Sequence, residues 1–138
     1  MRAAVLEAGA DRAIGYDGWQ GERDFDVVYD SVGSTLDESL AAARTGGHVV
    51  FYGMAGGDPK PVDPRVLMDR SLTLSGGDLW NVLRTREDRV TRAEALFGWV
   101  RDGRLRVRIA ERFPLARGAD AHRYLESRAA IGKVLLVP

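Results

Sequence analysis

The chain has 138 residues, 45% hydrophobic and 29% charged, which is enough to bury a core without covalent staples. Lys plus Arg (20) equals Asp plus Glu (20), which excludes a net field that would draw the whole molecule onto nucleic acid or an anionic membrane. The absence of cysteine excludes disulfides, thiolate nucleophiles and every Cys-containing zinc site.

In chain order, Arg2 to Gly9 reads as a helical end with a Gly stop, followed by a short strand at about Arg12 to Tyr16. A polar, Gly-punctuated loop leads to Phe25-Asp26-Val27-Val28-Tyr29-Asp30, an almost continuous apolar run that predicts a strand buried on both faces of a parallel sheet. Thr35 followed by Glu38 is a capping-box pattern, and Leu36, Leu40 and Ala43 make one apolar helical stripe. Thr45-Gly46-Gly47 is read as the stop of that helix and His48 to Gly53 as a second buried strand, which completes a βαβ crossover unit.

The loop Met54 to Pro64 is rich in Gly and Pro, Pro64 to Met68 predicts a helical turn, and Leu72 to Ser75 predicts a third strand. Apolar residues from Leu79 to Val100 recur at three- and four-residue spacing and fit two helices, with Thr85 and Asp88 offering a fresh N-cap for the second. Leu105, Val107 and Ile109 alternate with Arg106, Arg108 and Ala110, as in a half-exposed strand. Pro114 to Ser127 predicts a helix with Ala119, His122 and Leu125 on one side, and Lys133 to Val137 a last strand.

Charge is split along the chain: residues 1–63 hold 5 basic and 11 acidic groups, residues 64–138 hold 15 and 9. The arginines at 101, 104, 106 and 108 fit a solvated strand face better than a phosphate site. No apolar stretch has the length of a signal peptide or a membrane span, so the expected setting is the cytoplasm, with neither nucleic acid nor membrane as partner. His48 and His122 lack the spacing of a metal pair, and no metal site is expected. No Ser lies in a nucleophile elbow, and Asp26 and Asp30, at the two ends of a strand, read as turn formers or caps.

Three Gly-containing turns follow the three strand ends: Ser31-Val32-Gly33, Gly53-Met54-Ala55-Gly56-Gly57 and Ser75-Gly76-Gly77. Ligands of open α/β sheets lie at that edge, so the turns point to a nucleotide site, although no G-x-G-x-x-G phosphate motif accompanies them.

The segments DVVYDSVG (26–33), TLDESLAAARTGGHVVFYG (35–53), LFGWVRDGRLRVRIAERFPL (96–115) and AHRYLESRAAIGKVLLVP (121–138) carry a resemblance. They are similar to the carboxyl-terminal part of the NADPH-dependent quinone oxidoreductases, the zinc-free branch of the medium-chain dehydrogenase/reductase superfamily. The resemblance implies an α/β fold: a partial Rossmann domain, with a parallel sheet flanked by helices, plus extra carboxyl-terminal strands. Residues 1–103 would be the second half of a dinucleotide-binding domain. Residues 104–138, with strands at Arg104 to Phe113 and Lys133 to Val137, would return to a catalytic domain.

The activity implied is hydride transfer from NADPH to a quinone or enone, with no single catalytic residue. By the same resemblance the cofactor would meet Tyr16, Ser31, Tyr52, Gly53, Met54, Ala55, Leu74, Ser75, Gly76 and Arg128, and the chain would form a homodimer through a sheet edge near Leu72 to Ser75. Ser75-Gly76-Gly77-Asp78 stands where members often read Thr-Arg-Pro-Ser, and Met54 where they often carry a small polar residue. The alternative reading is a non-catalytic dimerising or partner-binding module.

Overall fold

The computed structural model describes residues 2–15 and 23–138. Its elements are α1 (Arg2–Glu7), β1 (Phe25–Asp30), α2 (Leu36–Ala42), β2 (Ala43–Phe51), α3 (Pro64–Asp69), β3 (Thr73–Gly76), α4 (Leu79–Val82), α5 (Arg86–Arg101), β4 (Ile109–Pro114), a 3-10 turn at Leu115–Arg117, α6 (Gly118–Glu126) and β5 (Lys133–Val137). They form two compact units, one within residues 17–88 and the other from residues 1–16 with 89–138.

The first unit is a parallel sheet in the order β1-β2-β3, with helix connections as a parallel sheet requires. Leu36, Leu40 and Ala43 form the expected stripe and pack on Val49 and Leu72, with Val28, Phe51, Val62, Leu67 and Leu74 around them. This core lies on one face of the sheet. The opposite face corrects the expectation of strands buried on both sides: Phe25, Val27 and Tyr29 are 39%, 45% and 71% exposed, because no described element covers them.

Two local readings also change. Helix α2 ends at Ala42, and the chain passes directly into β2; Phe25 pairs with Ala43 and Val27 with His48, so Arg44 to Gly47 are an irregular insertion within the strand rather than a helix stop. The Arg70 guanidinium closes the helix end by donating to the carbonyls of Leu40 and Ala43. The capping box at Thr35 and Glu38 does not form, since Thr35 makes no side-chain cap and its hydroxyl donates instead to Asp30 Oδ2 at 3.1 Å.

In the second unit β4 and β5 pair in parallel around α6. The strand begins at Ile109, later than the alternation at Leu105 suggested, because β5 offers partners only from Ile109 to Pro114. Lys133 N donates to Arg108 O at 2.8 Å where the pair starts, and at Gly132 (φ +123) a Cβ would stand 2.5 Å from that same oxygen. The inner face of α6 carries buried Ala121 and half-buried Tyr124, whose ring lies 6.1 Å from that of Phe113; Ala119, His122 and Leu125 face outward, contrary to the expected stripe. Residues 12–15 form no strand. Helix α5 has no buried residue, and its start is closed at the N-cap the sequence offered, where Thr85 and Asp88 go further and each side chain accepts from the other's backbone N–H.

Candidate functional site

All three strands of the first unit end at one edge, and the turns after β1 and β2 interlock there. Asp30, the last residue of β1, is 3% exposed and organises the first turn. Its Oδ1 accepts from the amides of Val32 (2.8 Å) and Gly33 (2.9 Å), and its Oδ2 from the hydroxyls of Thr35 (3.1 Å) and Ser39 (2.6 Å). Burial pushes this carboxyl up, but the donated bonds from Ser39, Gly33, Val32 and Thr35 outweigh it and hold the group below the usual Asp range. Asp30 is thus the turn former its position suggested.

The second turn docks on the first. Ala55 N donates to Ser31 O (3.1 Å) and Gly56 N to Val32 O (2.8 Å). Gly33 sits at φ +82, and a Cβ there would be 2.4 Å from Gly57 O; one at Gly56 would be 2.6 Å from Val32 Cγ1. The third turn differs in kind. A Cβ on Gly76 would meet nothing within 4 Å, and one on Gly77 only Tyr52 Cβ at 3.9 Å, so this backbone lies bare toward open space.

That space is a cleft of about 570 Å³ lined by Phe51, Tyr52, Gly53, Met54, Gly76, Gly77, Asp78, Leu79 and Asn81. Of the residues expected at a cofactor, Tyr52, Gly53, Met54 and Gly76 line it together. Ser31 and Ala55 belong to the interlocked turns, and Leu74 packs on the core. The Ser75 hydroxyl is engaged across the sheet with His48 Nε2 at 2.7 Å. Arg128 follows α6 in the second unit, at φ +58. Tyr16 lies outside the described residues.

Sequence reasoning named Gly77 only as part of the turn after the third strand, and missed Phe51, Asp78, Leu79 and Asn81 as lining residues. A signal for Asp78 existed, since it precedes an apolar run as an N-cap should, and its carboxylate does accept from Trp80 N at 2.9 Å. The pairing of His48 with Ser75 had none, because it depends on register between strands.

A zinc-binding dehydrogenase family model matches residues 8–136. The chain belongs to that family. Over 123 residues it is 37% identical to a 2-haloacrylate reductase of a Burkholderia species, covering 86% of this chain and 36% of that protein. The structure of a mycobacterial quinone oxidoreductase superposes with a TM-score of 0.82 at 35% identity, over 96% of this chain and 44% of the other. That of the Escherichia coli quinone oxidoreductase complexed with NADPH gives 0.81 at 31% identity, over 99% and 46%. The chain therefore spans less than half the length of these relatives.

The donor set does not fit the metal in the family's name: cysteine is absent, and among the described residues no three His, Asp or Glu stand close enough to hold an ion. A dinucleotide is fitted in part. Bare glycine backbone beside Tyr52 suits a flat ring or ribose, whereas the amides of Val32 and Gly33, in the turn that leads into α2, are already taken by Asp30 and leave no cradle there for a diphosphate. Among the described residues no helix is long and apolar enough to cross a membrane.

Proposed function

We propose that this chain supplies the nicotinamide-side edge of an oxidoreductase that reduces a quinone or enone with NADPH and without zinc. The observation that carries this reading is the cleft at the ends of β2 and β3, where Gly76 and Gly77 present bare backbone and Tyr52 and Met54 exposed side chains to one open space. NADPH, when bound, supplies the hydride. The chain's part is to orient it: Tyr52, Gly53 and Met54 form one wall, Gly76 and Gly77 the other, and Ser31 and Ala55 fix the height of the first wall through their hydrogen bond. Leu74 and Ser75 set the end of β3. Arg128 and Tyr16 are assigned to the cofactor by the family resemblance alone. In this reading residues 1–103 are half of a dinucleotide-binding domain, residues 104–138 serve a catalytic domain, and the enzyme works in the cytoplasm.

Because the sequence has no G-x-G-x-x-G motif and the Val32 and Gly33 amides are taken by Asp30, the chain by itself is expected to show no saturable NADPH binding below about millimolar in a nicotinamide-fluorescence titration. Micromolar saturation would mean that residues of this chain bind the diphosphate after all.

A partner-binding module is the second reading, favoured by the uncovered Val27 and Tyr29 and by an α5 with no buried residue. It includes a homodimer through the outer edge of β3, which pairs only with β2 among the described strands. Light scattering decides it: a monomer at high concentration contradicts edge pairing.

A further inference from the structure

We propose that Asp30 is a positioning residue for the cleft, holding the Gly53–Gly57 turn in place through the Ser31–Gly33 turn. The Asp30 carboxylate touches none of the residues that line the cleft; it acts on them through two layers of hydrogen bonds. A carboxylate offers about four acceptor directions, and here four donors from the turn and α2 converge on it: two amides on Oδ1 and two hydroxyls on Oδ2. With its amides folded inward onto the carboxylate, the turn carries its Ser31 and Val32 carbonyls outward, and these are the acceptors for Ala55 N and Gly56 N. The Asp30 carbonyl also accepts from Tyr52 N at 2.9 Å, so the same residue fixes where β2 ends and the cleft wall begins. Steric fit reinforces the bonds, since only glycine at 33 and 56 lets the two turns approach this closely.

The arrangement predicts a chain of dependence: carboxylate, first turn, second turn, position of Tyr52 and Met54. A purely structural carboxylate would instead stabilise the whole unit evenly. What the positioned turn touches rests on the cofactor reading above; the coupling between the turns does not.

The test is site-resolved amide hydrogen exchange on the full chain, comparing Asp30→Ala and Asp30→Asn with the parent. Asp30→Ala is expected to lower protection at Ala55 and Gly56 about tenfold more than at Val49 and Val50 of β2. Asp30→Asn, which keeps an oxygen for the Val32 and Gly33 amides, should recover most of the protection lost at Ala55 and Gly56. Should Asp30→Ala fail to fold, Ser39→Ala combined with Thr35→Val removes the Oδ2 donors alone and must show the same selective loss in smaller measure. Equal loss at all four amides, or none at Ala55 and Gly56, overturns the proposal. Selective loss in a chain whose Tyr52 and Gly76 signals ignore millimolar NADPH would uphold the positioning and refute the cofactor reading instead.

Discussion

The two faces of the three-stranded sheet are built from similar residues and meet different fates. On one face Leu36 and Leu40 of α2, Val49 of β2 and Leu72 beside β3 are buried together; on the other, Val27 and Tyr29 of β1 stand open. Both faces alternate from the same strands, so the difference comes from what crosses over them: α2 and the residues around Val62 and Leu67 cover one side, and no described element covers the other.

The comparison can be broken by substitution. Leu40→Ala on the covered face should cost about 2–5 kcal/mol, read as a lower urea midpoint, because the removed side chain leaves a cavity in the core. Gly33→Ala should cost about 2 kcal/mol or more, since the new Cβ would be strained at φ +82 and would stand 2.4 Å from Gly57 O. Val27→Thr on the open face should change stability by less than about 0.5 kcal/mol. A loss at Val27 comparable to that at Leu40 would mean that the open face is covered in solution.

Acid sharpens the same contrast at the turn edge. Asp30 has a folded-state carboxyl held below its unfolded value of 3.8, so its stabilisation is complete above about pH 4 and is lost as pH falls through the lower, folded value. Urea midpoints of the parent should therefore drop below about pH 4 more steeply than those of Asp30→Asn, which has no charge there to lose. Parallel acid limbs would show that Asp30 is not the group responsible.

Much of the fold was legible because local rules operated: the apolar runs of β1 and β2, the stripe Leu36-Leu40-Ala43, and the N-cap at Thr85 each follow from neighbours within a turn or two. What was not legible depended on distant partners. The end of α2 is closed by Arg70, 28 residues beyond Ala42, so Gly46 and Gly47 lost their apparent role as a stop. The start of β4 was fixed by where β5 offers hydrogen bonds, and the inward face of α6 by the strands beneath it. At the site, the Gly turns announced an edge but not their difference: only register shows that Gly33 and Gly56 close on protein while Gly76 and Gly77 remain open.

In the proposed function this opening receives the nicotinamide end of NADPH. That assignment is tested most directly by following backbone amide resonances of the chain while NADPH is raised to about 10 mM, a range in which even a weak site fills. Shifts concentrated at Tyr52, Met54, Gly76, Gly77 and Asn81 are the predicted result. Shifts absent from these residues, or concentrated elsewhere on the chain, would contradict it.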